Sequence, residues 1–297
     1  MADHNPSIAL LESLHVTGFH SAPLPSFLPT ETEAAALLNF FLSPDTIKAN
    51  CIHSVSGLRG WSRSGSENFS ALLTTAQRTA TVQSQTQLND AMEKFRIGEP
   101  EVTGKMANVF PEGESSGFRE TLETLYSNVH EHALAFLDWS HLPATFLRDR
   151  IGHGILTLNY YPPTPASLDT VLLHAHVDID FLTFLFPLAA SSTALQIKPG
   201  AGPWVTMDSD VAVVNAGEAL ADWKSVHGGR DIKSTVHRVV RVKTPEPGDQ
   251  GRLTAAYFLP LTGEATLDDP VTGEKGENAS KWRSKRVRKA LKEAAKR

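Results

Sequence analysis

Apolar and polar positions along this chain follow two different rhythms. Up to about residue 150 the spacing is helical. Thr30-Glu-Thr-Glu33 forms a capping box ahead of Ala34 to Leu42, whose Leu37, Phe40 and Phe41 fall on one side. Phe118, Leu122, Leu125, Val129, His132 and Phe136 recur every three or four residues. That spacing predicts a long amphipathic helix from about Ser116 to Leu137. Residues 52–115 are rich in Ser, Thr and Gln and support no assignment. From Gly154 onward the rhythm shortens to runs of β-formers separated by turn residues. These runs are Ile155 to Tyr161 (stopped by Pro162-Pro163), Val171 to Phe186, Leu195 to Lys198, Trp204 to Met207, Val211 to Val214, Ser234 to Val242 and Arg252 to Leu259. Seven short strands behind a helical region predict an α+β fold, with an antiparallel barrel or double-sheet sandwich flanked by helices.

Length and composition narrow the class. A chain of 297 residues, 41% hydrophobic and 21% charged, is long enough to bury a core without cross-links. A single cysteine, Cys51, excludes an intramolecular disulfide framework and suits a reducing compartment. The opening Met-Ala-Asp-His-Asn-Pro lacks the basic and apolar segments of a signal peptide. The most apolar stretch, Leu168 to Ala190, is interrupted by His174, His176, Asp178 and Asp180, which makes a membrane span costly. A cytoplasmic protein without a membrane partner is expected.

The net charge of −5 hides an asymmetry. Residues 281–297 carry nine of the 28 bases and one acid, whereas the preceding 280 residues hold 19 bases against 32 acids. An acidic body with a basic tail excludes a uniformly basic nucleic-acid-binding domain. Val287, Ala290, Leu291 and Ala294 make a narrow apolar stripe, which predicts a helix over Trp282 to Lys296. Its charge density points to a solvated helix or frayed tail; a cationic lid for an anionic substrate is the alternative.

The chemistry gathers in His174-Ala-His176-Val-Asp178-Ile-Asp180. On a strand these four polar side chains would share one face, with Ala175, Val177 and Ile179 on the other. Four ionisable groups inside a barrel are expensive unless paired or bound to a cation. A further histidine, His237, interrupts another apolar strand run. Two imidazoles and one carboxylate with open positions suit non-haem Fe(II), and Zn(II) at His₂Asp would look alike.

Several ordered segments resemble the 2-oxoglutarate/Fe(II)-dependent dioxygenase superfamily, in particular its isopenicillin-N-synthase-like branch. They are Asn159-Tyr-Tyr-Pro-Pro163, His176-Val-Asp178 with Thr183 five residues on, Leu195-Gln-Ile with Gly202-Pro-Trp204-Val, and Val213-Val-Asn-Ala-Gly217. Lys233-Ser-Thr-Val-His237-Arg-Val and Arg252-Leu-Thr254 follow. Thr17-Gly-Phe19, Phe40-Phe41 and Arg59-Gly-Trp61 match more loosely, and the family's opening strand looks shortened or missing.

The resemblance implies a single oxygenase domain over 1–297. Residues 1–153 would be mostly helical, 154–260 a double-stranded β-helix (jelly-roll) core, and 261–297 a C-terminal extension with the basic helix. It implies His176, Asp178 and His237 as catalytic metal ligands for Fe(II), with O₂ and 2-oxoglutarate as cosubstrates. Arg252 would hold the far carboxylate of 2-oxoglutarate, since a guanidinium offers carboxylates a fixed donor fork. Thr254 would stand in for the family's serine, and Tyr161 and Asn159 would complete that pocket. His174 falls outside the motif and is read as a structural or supporting group. Phe258 and Asp180 are candidate substrate contacts, with an ordinary core phenylalanine and a hydrogen-bonded strand carboxylate as the alternatives. Residues 224–232 make a longer turn than the family's and are expected near the entrance.

The function implied is oxidation of a small molecule by a ferryl oxidant that abstracts hydrogen, as 2-oxoglutarate loses CO₂ to give succinate. The divergent N-terminal half points to specialised metabolism. Two alternatives stand beside this one: an oxidase of the same fold that does not use 2-oxoglutarate, and a catalytically silent ligand-binding module.

Overall fold

A computed structural model of the chain describes residues 12–52, 59–66, 90–100, 102, 106–112, 117–139, 150–163, 170–189, 192–200, 202–223, 232–267 and 275–294. Its elements run β1 (Phe19–Pro23), α1 (Glu31–Leu42), α2 (Asp45–Lys48), β2 (Gly60–Ser62), β3 (Glu93–Ile97) and α3 (Phe118–Trp139). Then come β4 (Ile155–Tyr161), β5 (Val171–His176), β6 (Leu182–Ala189), β7 (Thr193–Lys198), β8 (Val205–Thr206) and β9 (Val211–Ala216). The chain continues through α4 (Glu218–Asp222), β10 (Val236–Arg241), β11 (Arg252–Leu259) and α5 (Ala279–Ala294). One sheet has the order β1-β9-β6-β11-β4-β3-β2 and the other β5-β10-β7-β8. The described strand pairings are antiparallel.

Period-two alternation decides which residues enter which layer. In β11, Leu253, Ala255, Tyr257 and Leu259 join the larger apolar core, while Arg252, Thr254, Ala256 and Phe258 face a cavity between the sheets. Strand β4 repeats the rule, with Leu156, Leu158 and Tyr160 outward and Asn159 and Tyr161 inward. The outward set packs in one core with Phe118, Leu122, Leu125, Val129 and Phe136 of α3, from the stripe its spacing predicts, and with Ala133, while His132 of that stripe is only half-buried. A second, smaller cluster joins Tyr161 and Val213 of the large sheet to Leu173, Leu195 and Val239 of the small one. The sheets therefore close face to face as a jelly roll.

The capping box at Thr30 and Glu33 is present, with both reciprocal hydrogen bonds. Three strand expectations change. The Val171 to Phe186 run is two strands, because residues 177–181 cross from the small sheet to the large one. The opening strand is not missing: β1 pairs along β9 from Phe19↔Asn215 to Pro23↔Val211. As a sheet edge ending in proline it has little periodicity to display. The unassigned stretch contributes β2 and β3, which extend the large sheet beyond β4.

Gly154 shows how α3 is fastened to the sheet. Tyr126 of α3 donates its hydroxyl to the Gly154 carbonyl at 3.1 Å, and the Gly154 N–H donates to the Tyr257 hydroxyl at 3.0 Å. That hydroxyl also meets His130 Nδ1 at 2.6 Å. A Cβ at position 154 would lie 2.5 Å from the Phe258 carbonyl oxygen, so only glycine fits. Tyr257→Phe leaves a buried N–H without its acceptor and should cost about 1–3 kcal/mol. The check is the shift of the urea unfolding midpoint; an unchanged midpoint would show the clamp to be dispensable.

Candidate metal centre and its pocket

Strand β5 ends at His176, and the crossing segment begins at once. His237 of β10 stands directly opposite His176 in the ladder, and the two rings are 4.2 Å apart between centroids. Asp178 projects from the crossing, its Oδ1 lying 3.8 Å from His176 Nε2 and 3.9 Å from His237 Nε2. All three residues are buried, and their ligand atoms lie within 4.8 Å of one another. Among the described residues this is the group of histidine and carboxylate side chains able to hold a metal ion.

The surrounding hydrogen bonds decide which atoms remain available. His176 Nδ1 lies 2.8 Å from the His174 carbonyl, and His237 Nδ1 lies 3.1 Å from the Thr235 carbonyl. A ring nitrogen facing a carbonyl carries the proton, so each Nε2 keeps its lone pair for a cation. Asp178 Oδ2 accepts from Thr183 Oγ1 at 2.6 Å and from Asn215 Nδ2 at 3.1 Å, which leaves Oδ1 free. Burial, then the neighbouring His237, push His176 down to about 4, so its imidazole is neutral at pH 7. Two imidazole nitrogens and one carboxylate oxygen on one side of an otherwise open position form the donor set that fits Fe(II).

Beside these ligands lies a cavity of about 700 Å³, counted to its open mouth. Two cross-strand pairs line one wall, Arg252↔Tyr161 and Thr254↔Asn159, and all four residues face the cavity. Arg252 is buried; its Nη1 donates to the Thr193 carbonyl at 3.2 Å, and its Nε has no partner. No carboxylate among the described residues pairs with it. Burial lowers its pKa, with Tyr161 opposing. Burial also pushes the Tyr161 phenol well above its ordinary range, so it remains an O–H donor. A buried guanidinium with unfilled donors is costly, and an incoming carboxylate supplies what it lacks.

Residues 152–260, which span the cavity-bearing strands from β4 to β11, match the family model described as the 2OG-Fe(II) oxygenase superfamily. This matched stretch, 109 of the 297 residues, resembles the superfamily. The chain is 27% identical over 226 residues to the 2-oxoglutarate-dependent dioxygenase phqC of Penicillium fellutanum. That match covers 70% of this chain and 62% of the relative, so it spans less than two thirds of the relative's length. The 2-oxoglutarate-dependent dioxygenase ecdK of Aspergillus rugulosus is 27% identical over 276 residues, covering 84% of this chain and 81% of that one. In fold, the chain resembles a full-length Neurospora crassa protein whose crystal structure was solved in complex with alpha-KG. The TM-score is 0.76 at 23% identity, covering 96% of this chain and 90% of that one.

Fe(II), 2-oxoglutarate and O₂ are the metal and cosubstrates of a 2OG-Fe(II) oxygenase, and the site fits them on its own geometry. Three oriented donors suit a metal ion, and a buried guanidinium with an unfilled donor suits a carboxylate. The remaining predicted residues divide. Phe258 lines the cavity. Asp180 does not: its Oδ1 meets Arg283 of α5 at 2.5 Å. Of the two readings of Asp180, the hydrogen-bonded carboxylate describes it, because strand parity ends where β5 ends and residue 180 has already turned away. His174 does not approach the metal position with its ring. It bonds Asp90 through Nδ1 at 2.7 Å and lends its carbonyl to His176. The loop predicted near the entrance, 224–232, lies outside the described residues except for the buried Ile232.

Two supporting residues went unassigned in the sequence. Asn215 breaks the apolar run of β9 at the same parity as the cavity-facing Val211 and Val213, and that was its available signal. Asp90 sits in the stretch without pattern and offered none. Removing the Thr183 hydroxyl by Thr183→Val takes away the shorter of the two hydrogen bonds that hold Asp178 Oδ2 and should weaken Fe(II) binding about 10-fold or more. Anaerobic equilibrium dialysis measures this, and His176→Ala, removing a ligand outright, should give no measurable binding under the same conditions.

Proposed function

We propose that the protein is an Fe(II)- and 2-oxoglutarate-dependent oxygenase that oxidises a C–H bond of a small, largely apolar molecule in specialised metabolism. The observation that carries this reading is the juxtaposition of an oriented His-Asp-His donor set and a buried, unneutralised Arg252 in one cavity. A metal-binding protein with another task has no need to bury an uncompensated guanidinium there.

His176, Asp178 and His237 would hold the metal through Nε2, Oδ1 and Nε2. Arg252 would bind the far carboxylate of 2-oxoglutarate, with the Thr254 and Tyr161 hydroxyls and the Asn159 side chain on the same wall. Bound Fe(II) would supply the redox centre at which O₂, 2-oxoglutarate and a substrate C–H become succinate, CO₂ and the oxidised product. The chain's own contribution is to orient and to keep the site dry. Leu173, Leu195, Val213, Val239, Met207 and Phe258 make the rest of the cavity mostly apolar, which favours an apolar substrate face and excludes water from the reacting centre.

The fungal dioxygenase relatives support a specialised metabolite as substrate. No helix among the described residues is long and apolar enough to cross a membrane. The reading sets the reaction in the cytoplasm, whose reducing conditions suit Fe(II) and the buried thiol of Cys51.

Screening metabolite classes for substrate-stimulated succinate release tests the proposal. Arg252→Ala should raise the 2-oxoglutarate concentration needed for half-maximal turnover by at least about 10-fold, as expected for a lost charge-assisted contact. Turnover without succinate, or an unchanged 2-oxoglutarate requirement in that variant, would favour an oxidase in which Arg252 binds the substrate's own carboxylate.

A further inference from the structure

The basic C-terminal helix does not float in solvent. Three residues of α5 reach acidic partners around the metal-bearing crossing. Trp282 Nε1 donates to Asp222 Oδ2 at 3.0 Å, Arg283 Nη2 meets Asp180 Oδ1 at 2.5 Å, and Arg286 grips Glu218 through both Nε and Nη2. The side chains of Arg286 and Glu218 are 13% and 9% exposed, so this fork is shielded from solvent far more than an ordinary surface pair.

The acidic partners lie on the two segments that fix Asp178. The Glu218 N–H donates to the Asp178 carbonyl at 2.8 Å, the Gly217 N–H to the Phe181 carbonyl at 3.1 Å, and the Ala219 N–H to the Asp180 carbonyl at 3.3 Å. The segments touch so closely that a Cβ on Gly217 would stand 1.9 Å from the Asp180 carbonyl oxygen. Asp180 on one segment and Glu218 on the other are then tied from outside by the same helix, one turn apart at Arg283 and Arg286.

We propose that α5 is a clasp for the metal site, with Arg283 and Arg286 as positioning residues that hold the 177–181 crossing and the start of α4 together, and so set Asp178 for the metal. The proposal rests on the reading of His176, Asp178 and His237 as ligands. Without the two guanidiniums, the Arg283–Asp180 and Arg286–Glu218 pairs are lost, and with them the tie that α5 makes between the crossing and the start of α4.

Anaerobic equilibrium dialysis with Fe(II), run beside thermal unfolding of the metal-free protein, tests this. The variants are Arg283→Ala/Arg286→Ala, the conservative Arg283→Lys/Arg286→Lys, and Lys285→Ala, which removes the pair that this exposed lysine of α5 makes with Glu277 ahead of the helix. The double alanine variant should bind Fe(II) about 10-fold more weakly, of the order seen when groups supporting a ligand are lost. The lysine pair should recover part of that loss, and Lys285→Ala should bind as the wild type does. With Co(II) in place of Fe(II), the visible ligand-field bands should shift in the double alanine variant. If that variant does not fold, Arg283→Gln alone should still weaken binding measurably.

Unchanged Fe(II) affinity in the folded variants overturns the clasp. So does a loss that merely tracks the unfolded fraction and is not relieved by lysine. Absence of Fe(II) binding by the wild-type protein overturns the metal-site reading itself, and is distinguished by that control.

Discussion

A carboxylate buried between two imidazoles, without a lysine or arginine paired to it among the described residues, is the most demanding group in this fold. A buried carboxylate such as that of Asp178 is expensive unless its oxygens find hydrogen-bond donors or a cation. The protein answers by assigning each oxygen a task. Oδ2 is satisfied by Thr183 and Asn215, and Oδ1 faces His176 and His237 with room for a cation. Thr183 is the second residue of β6 and Asn215 sits opposite it on β9, so the large sheet's register delivers both donors. His176 and His237 oppose each other on the small sheet. The metal position is therefore where the two sheets meet, and neither sheet could make it alone.

The same division explains the cavity's second charged feature. Arg252 and Thr254 alternate with Leu253 and Ala255 on β11, so one strand presents a polar wall inward and an apolar wall to the helices. Burying a guanidinium without a carboxylate is tolerable only if the ligand brings one. The apolar outer face, locked to α3 by Tyr126, Gly154 and Tyr257, offsets the cost of the polar inner one.

Legibility in the sequence followed periodicity. The core strands β4, β10 and β11 were readable because half their residues enter an apolar core, and α3 because one stripe does. The ligand residues stood out for the reverse reason, as ionisable side chains inside apolar runs. Parity misled at Asp180, since a period-two argument continues past His176 while the strand does not. The edge strands β1 and β2 are short and half-covered, so their sequences carry little alternation. Asp90 reaches His174 across 84 positions, and no local pattern encodes a bond between residues so far apart.

The uneven charge of the chain was legible as a number but not as a contact. An acidic body and a basic end look, along the sequence, like a solvated tail. In three dimensions, Asp180, Glu218 and Asp222 are acidic because Arg283, Arg286 and the indole N–H of Trp282 lie over them. Burial raises the Asp180 carboxyl's pKa and Arg283 opposes that rise, so the helix favours the charged form of a group its surroundings disfavour. The excess of acid near the metal and the excess of base at the end of the chain are two halves of one interface. A feature that first served only to exclude nucleic acid thus joins the structure that holds the metal-bearing turn.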